Sequence, residues 1–217
     1  MNELTNKKIA ALRVDYSLKE FDETHVIADP IKQFSVWFQE AIEADVNEPN
    51  AMTLATVKQD NTPSARVVLL KGFNDTGFTF FTNYNSHKGQ QIIQNPNVAL
   101  VFCWLELQRQ VRIEGKVSKI SKKESDDYFY SRPLSSQIGA IASPQSTVIE
   151  GRHVLEEIYS SVENNLHEKA PERPEHWGGF KVEPNLIEFW QGRSSRLHDR
   201  FEFVRNGNDW KHNRLAP

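Results

Sequence analysis

The sequence contains one cysteine, Cys103, so no internal disulfide can form and the chain suits a reducing compartment. Long hydrophobic runs are also missing. The longest, Val98 to Leu105, falls well short of the roughly 20 apolar residues that cross a bilayer. The opening stretch Met1 to Lys8 has no apolar signal core, which makes the cytoplasm the expected location. Charge of one sign is scarce as well: 26 Lys and Arg face 29 Asp and Glu, a formal net charge of -3. That balance gives no global pull toward nucleic acid or an anionic membrane, so neither is an expected partner, and any anion site must come from local clustering.

Several catalytic signatures are absent. Neither GxGxxG nor GxxxxGK[ST] occurs, so a nucleotide phosphate would have to be held by side chains. His167-Glu168 opens like a zinc-protease helix, but Pro171 stands where the second histidine ligand belongs, and no metal site is expected. There is no GxSxG elbow. Cys103, inside an apolar run, is expected to be a buried core residue and a poor nucleophile.

What is present reads as a globular protein: 38% hydrophobic and 25% charged residues, with no repeat and no linker that would split the chain. One domain over residues 1–217 is the expectation. Asp29-Pro30 reads as a helix N-cap with proline at the first position. Ile31, Phe34, Trp37, Phe38, Ala41 and Ile42 then recur at helical spacing through about Ala44.

From Ala51 the pattern changes to strands at Ala51 to Val57, Ala65 to Lys71, Phe78 to Thr82, Val98 to Leu105 and Gln110 to Ile120. A short helix from Ser86 to Asn95 interrupts them. Two capping boxes, Ser121 with Glu124 and Thr147 with Glu150, predict helices over about 122–131 and 148–165, the first ended by Pro133. Strands return at Gly178 to Val182, Leu186 to Gln191 and Phe201 to Val204, with Asn206-Gly207 as a hairpin turn. Roughly eight short antiparallel strands with inserted helices predict an α+β class, mainly antiparallel, closed or partly closed β-barrel rather than a doubly wound sheet.

Three groups of residues carry possible chemistry. Arg66 and Lys71 bracket Val67-Val68-Leu69-Leu70, and His87-Lys88 follow the helix cap Ser86, which makes two phosphate-sized sites conceivable. Tyr128, Arg132 and Ser136 recur at a spacing of four and suit a phosphate monoester. Taken singly, each group reads more simply as surface charge or ordinary packing. The third group is Trp190 followed by Arg196-Leu197-His198-Asp199-Arg200. If residues 196 to 200 are extended, Arg196, His198 and Arg200 share one face, a concentration of donors that calls for an anionic or electron-rich ligand.

With these residues assembled, the sequence closely resembles the pyridoxamine 5'-phosphate oxidase family from Arg13 to Pro217. The resemblance is carried by Ile187 to Arg200, Arg66 to Lys71, Arg109-Gln110-Val111, Ser131-Arg132-Pro133, Ser136 to Ala140, Gln145-Ser146, Trp177 to Phe180 and Arg214 to Pro217. It implies a split β-barrel homodimer of the Greek-key type with FMN at the subunit interface, acting on small B6 phosphates and O2. It further implies that Arg66, Val67, Val68, Leu69, Leu70, Lys71, Phe81, Thr82, His87, Lys88, Gln110, Gln145, Ser146, Trp190 and Arg200 contact FMN.

Lys71, Tyr128, Arg132 and Ser136 would hold the substrate phosphate, and Arg196 and His198, the implied catalytic pair, would lie against the substrate ring. Arg13 and Tyr16 would close the site as a lid on a flexible segment over about residues 1–25. Two departures from the family pattern stand out. His87 replaces the usual Arg beside the Lys, and Phe81 often has a hydroxyl-bearing counterpart. Glu48, where many relatives carry Asp, is a further variant position. The alternatives are a flavin reductase or haem-handling protein of the same superfamily, or a non-catalytic FMN or pyridoxal phosphate carrier.

Overall fold

The computed structural model describes residues 8–12, 15–166 and 170–217. Arg13 and His167-Glu168 lie outside the described residues. Helices are α1 (Pro30–Glu43), α2 (His87–Gln94), α3 (Lys122–Ser131), α4 (Leu134–Ala142) and α5 (Arg152–Asn165). Strands are β1 (Ala51–Val57), β2 (Pro63–Leu69), β3 (Gly72–Asn74), β4 (Gly77–Asn83), β5 (Asn97–Trp104), β6 (Arg109–Lys119), β7 (Trp177–Gln191), β8 (Asp199–Asn206) and β9 (Asp209–Arg214). Strand neighbours follow the order β2-β1-β5-β6-β7-β4-β3, with β8 on β7 and β9 on β8, and the pairs β1/β2, β1/β5, β3/β4, β4/β7 and β8/β9 are antiparallel. No described helix is long and apolar enough to cross a membrane.

The chain divides into two compact units. The first comprises Met1–Pro49, Cys103–Val111 and Ile187–Pro217. Its α1 begins as the sequence predicts: the Asp29 carboxylate accepts the N–H groups of Ile31 and Lys32, and Pro30 needs no partner at the first turn. Ile31, Phe34, Trp37 and Ala41 form the buried face, while Ile42, expected beside them, is exposed. Phe21 packs at ring separations of 4.9 Å from Trp37 and 5.1 Å from Phe201, and Trp37 sits 5.2 Å from Phe189. Each such buried ring contributes roughly 1.5–3 kcal/mol. Arg109 lies inside this aromatic group.

The second unit comprises Asn50–Phe102 and Arg112–Leu186. The seven paired residues of β1 and β2 run from Ala51 opposite Leu69 to Val57 opposite Pro63. β1 alternates half-buried and buried residues, so Met52, Leu54 and Thr56 point inward. The β3/β4 turn closes on Gly77 at φ +145°, where a Cβ would lie 2.1 Å from the Val182 carbonyl oxygen; only glycine fits.

The structure corrects several expectations. Cys103 is exposed: β5 buries Val98, Leu100, Phe102 and Trp104, and the two-residue period puts Cys103 on the other face. The runs expected as two strands, 178–182 and 186–191, are one strand, β7. It runs through Pro184, and beside it β6 carries Gly115, where a Cβ would stand 2.2 Å from the Glu183 carbonyl oxygen, so the close approach of the two backbones there requires glycine.

Helix α4 was not anticipated; Pro133 ends α3 and also caps α4. The Ser121–Glu124 capping box is formed, but the Thr147–Glu150 box is not. Residues 143–147 fold into turns, with Gln145 N–H on Ser143 O and Thr147 N–H on Pro144 O, and α5 starts after Gly151.

Candidate functional site

In the second unit, a cavity of about 750 Å³ collects most of the predicted cofactor and phosphate ligands: Arg66, Val67, Val68, Leu69, Lys71, Phe81, Thr82, Lys88, Tyr128, Arg132, Ser136 and Gln145. Sequence distance hides this grouping, since β2, β4, α2, α3 and α4 each supply one or more of them. Leu70 turns inward and is 4% exposed, so it supports the wall from behind. His87 is exposed, and its backbone N–H donates to Ser146 Oγ at 3.3 Å, with neither residue lining the cavity.

The electrostatics of the cavity are one-sided. Arg66, Lys71, Lys88 and Arg132 line it, and among the described residues no carboxylate does. Lys88 Nζ reaches Gln145 Oε1 at 3.3 Å and Thr82 Oγ1 at 3.4 Å. Burial, then the neighbouring Arg66 charge, pushes the Lys88 ammonium below its usual pKa. An anion entering here would relieve that repulsion. Arg66 is already spoken for: its terminal nitrogens donate to Leu54 O, Thr56 Oγ1, Ser64 Oγ and Gln91 Oε1, which fixes the guanidinium.

Arg132 differs. Its Nη1 is buried without a hydrogen-bond partner, and its guanidinium carbon sits 4.6 Å from the Trp177 ring centre. Trp177 in turn belongs to an aromatic stack, with Phe81 and Tyr128 at 3.8 Å and Phe81 and Trp177 at 5.5 Å. In the sequence Trp177 stands out only as a motif residue, and an aromatic opening a strand gives no local sign of this supporting role. Phe81, noted for lacking a hydroxyl, forms the centre of the stack.

In the first unit, Tyr16, Trp190, Arg196 and His198 line a second cavity of about 510 Å³, together with Leu12, Asp15, Arg193 and Ser195. The Trp190 and His198 rings are 4.6 Å apart, and Tyr16 stands 5.8 Å from Trp190 and 5.7 Å from His198. The His198 imidazole is held below its ordinary pKa by burial first and then by the charges of Arg196 and Arg200, against an opposing effect of Asp199.

The extended conformation that would put Arg196, His198 and Arg200 on one face does not occur. Ser194–Arg196 form a 3-10 turn, with Ser195 at φ 55° and Arg196 at φ 62°, and β8 begins only at Asp199. Arg196 and His198 line the cavity together, and Arg200 does not join them. Arg200 instead donates to Glu188 Oε1 at 2.7 Å and to the Ala216 carbonyl at 2.8 Å, and does not line the cavity. Gln110 is half-buried on β6 and lines neither of these cavities.

Tyr16 has a prepared seat. Ser17 and Leu18 donate their N–H groups to Gln108 Oε1 at 3.0 and 3.3 Å, and a Cβ on Gly192 would fall 2.8 Å from the Tyr16 ring. Gly192→Ala is expected to unseat Tyr16 and speed amide exchange at Ser17 and Leu18 by about tenfold or more. Unchanged exchange at both amides would show that the ring does not depend on this glycine.

Residues 38–164 match the family model described as pyridoxamine 5'-phosphate oxidase, and residues 177–217 match the one described as pyridoxine 5'-phosphate oxidase C-terminal dimerisation region. A pyridoxine/pyridoxamine 5'-phosphate oxidase of Trichormus variabilis is 52% identical over 98% of this chain and 100% of that protein. One from Cupriavidus necator is 54% identical over 97% of this chain and 99% of that protein.

Among solved structures, PhzG from Burkholderia lata, in complex with tetrahydrophenazine-1-carboxylic acid, aligns with a TM-score of 0.86 at 30% identity, covering 92% of this chain and 98% of that one. A pyridoxamine 5'-phosphate oxidase-related, FMN binding protein of Nostoc punctiforme shares the fold with a TM-score of 0.70 at 18% identity, covering 87% and 97%.

Proposed function

The chain belongs to the pyridoxamine 5'-phosphate oxidase family, and from that premise we propose that it oxidises pyridoxamine 5'-phosphate and pyridoxine 5'-phosphate to pyridoxal 5'-phosphate with FMN, reducing O2 to hydrogen peroxide. It is an oxidoreductase with FMN as its cofactor, and it carries a dimerisation region. The finer reading is a cytoplasmic homodimer with FMN between the subunits and the whole chain serving one catalytic domain.

The observation that carries this reading is the cavity lined, among the described residues, by four cations and no carboxylate, in which a buried Arg132 Nη1 has no partner among those residues. A buried donor left unpaired is costly, and a dianionic phosphate would satisfy it. The residues present fit FMN as well: Lys88, Thr82 and Gln145 offer polar contacts, beside the apolar surfaces of Val67 and Leu69.

FMN supplies the two-electron acceptor, and the work of the chain is to bind, orient and polarise. Arg132, Tyr128, Ser136 and Lys71 hold the substrate phosphate, remote from the reacting carbon, and so convert a diffusional encounter into a positioned one. Arg196 and His198 lie against the substrate ring and place donors where charge develops. Trp190 and Tyr16 enclose that face and exclude water. The amine product, an imine, is hydrolysed to the aldehyde and ammonia, whereas the alcohol gives the aldehyde directly.

The deciding experiment loads the protein with FMN, removes oxygen and adds pyridoxine 5'-phosphate. Bleaching of the flavin absorbance that reverses on admitting air, with pyridoxal 5'-phosphate formed, is the expected result; a flavin that binds and stays oxidised would turn the reading to a carrier or reductase. Arg196→Ala is expected to lower turnover about tenfold, equivalent to roughly 1.4 kcal/mol of transition-state stabilisation, while FMN stays bound. Near-normal turnover would remove Arg196 from that role.

A further inference from the structure

The turn that carries Arg196 is anchored by a neighbour outside the residues expected to act. Ser195 and Arg196 are consecutive non-glycine residues in the left-handed region, a conformation that persists only where its surroundings over-determine it. Here the two ends of the turn are tied together: Arg193 Nη1 donates to Asp199 Oδ2 at 3.1 Å, across the turn itself. Arg193 Nη2 donates to Glu20 Oε1 at 2.7 Å. Asp199 is itself fixed, accepting from the Phe21 N–H at 3.1 Å and from Arg214 Nη1 at 2.8 Å. Within the turn, Leu197 N–H donates to Ser194 O at 3.1 Å.

The same residue touches the imidazole. The backbone N–H of Arg193 donates to His198 Nδ1 at 3.1 Å. A ring nitrogen that accepts a hydrogen bond carries no proton, so the neutral ring must bear its proton on Nε2. We propose that Arg193 is a positioning residue: its backbone fixes His198 as the Nε2–H tautomer, and its side chain, held between Asp199 and Glu20, keeps the turn in the geometry that makes this contact.

His198 then presents a hydrogen-bond donor, not an acceptor, and the matching ligand group is an electron-rich oxygen or nitrogen on the substrate ring. This step rests on the reading that His198 lies against that ring. The tautomer itself does not depend on it.

The test uses the FMN-loaded protein and long-range 15N–1H spectra of the histidine rings at mildly alkaline pH, with His198→Asn identifying the His198 signals. The wild type should show a protonated Nε2 and an unprotonated Nδ1. In Arg193→Ala the two nitrogen shifts should converge as the tautomers mix, and turnover should fall about tenfold with FMN affinity unchanged, the scale expected for a misplaced group. Arg193→Lys, which keeps one of the two carboxylate pairings, should restore a single tautomer and part of the turnover.

An Nδ1–H ring in the wild type, unchanged shifts in Arg193→Ala, or mixed tautomers with normal turnover would each overturn the proposal. A wild type without oxidase turnover would overturn the functional reading instead, and the spectra would still decide the tautomer.

Discussion

Arg132→Ala should raise the KM for pyridoxine 5'-phosphate by about two orders of magnitude, roughly 2.8 kcal/mol at about 1.4 kcal/mol per tenfold, while activity toward unphosphorylated pyridoxine is left as it was. The size follows from the setting. The guanidinium lies against Trp177, at 4.6 Å from its ring centre, and its buried Nη1 has no protein partner. A charge-assisted hydrogen bond made there meets little competition from water. Arg132→Lys keeps the charge but loses the planar fork and the stacking, so only part of the affinity should return.

Stability should move differently. Arg132→Met removes an unsatisfied buried donor, which offsets roughly 1–3 kcal/mol, at the loss of a cation–π contact of about 1 kcal/mol. The variant should therefore melt no lower than the wild type. Equal loss of affinity for phosphorylated and unphosphorylated substrates, or a lowered melting temperature, would argue that Arg132 is structural.

Arg109→Ala should be the most destabilising of the substitutions considered, by about 3–5 kcal/mol in denaturant unfolding at neutral pH. Arg109 is 5% exposed. Its Nε donates to Gln191 Oε1 at 2.8 Å, its Nη1 donates to Glu40, and its guanidinium carbon lies 4.2 Å from the Trp37 ring centre. Removing it leaves the Glu40 carboxylate partly buried with Lys19 as its remaining cation.

The pH dependence carries a sign. Burial pushes the Glu40 carboxyl up, but the hydrogen bonds from Arg109 and then Lys19 outweigh it and hold the group below its usual value of 4.5. A depressed carboxylate stabilises the fold above its unfolded pKa, and that stabilisation fades as pH falls from there toward the folded value. The stability gap between the wild type and Glu40→Gln should therefore be full at pH 7 and shrink below about pH 4.5. A gap that stays constant into acid would mean that the pair contributes little.

Much of this protein was legible in the residues alone. The Asp29-Pro30 start of α1 and the Ser121–Glu124 capping box are local devices, set by hydrogen bonds within a few residues, and each forms at the predicted residues, while the hairpin expected at Asn206-Gly207 turns one residue later, on Gly207-Asn208, because Asn206 still pairs with Asp209. The motifs in order from Arg13 to Pro217 point to the family that the family model matches, whereas the clusters around Arg66, Lys88 and Arg132, each taken singly, read as surface charge.

The tertiary structure decided what depends on contacts between segments far apart in the chain. The periodicity of Val98 to Leu105 could not show which face Cys103 takes, because an apolar run looks alike whether one face or both are buried. The stack of Phe81, Tyr128 and Trp177 joins residues from three segments, and no local pattern encodes it. Nothing in the local sequence sets the backbone of Arg196, and it is left-handed because the pairing of Arg193 with Asp199, itself held by Arg214, ties the ends of its turn together more strongly than local backbone preference opposes it. Local sequence sets caps, turns and alternation through short-range hydrogen bonds and sterics; packing and ion pairs across the fold set the strained geometry of the site.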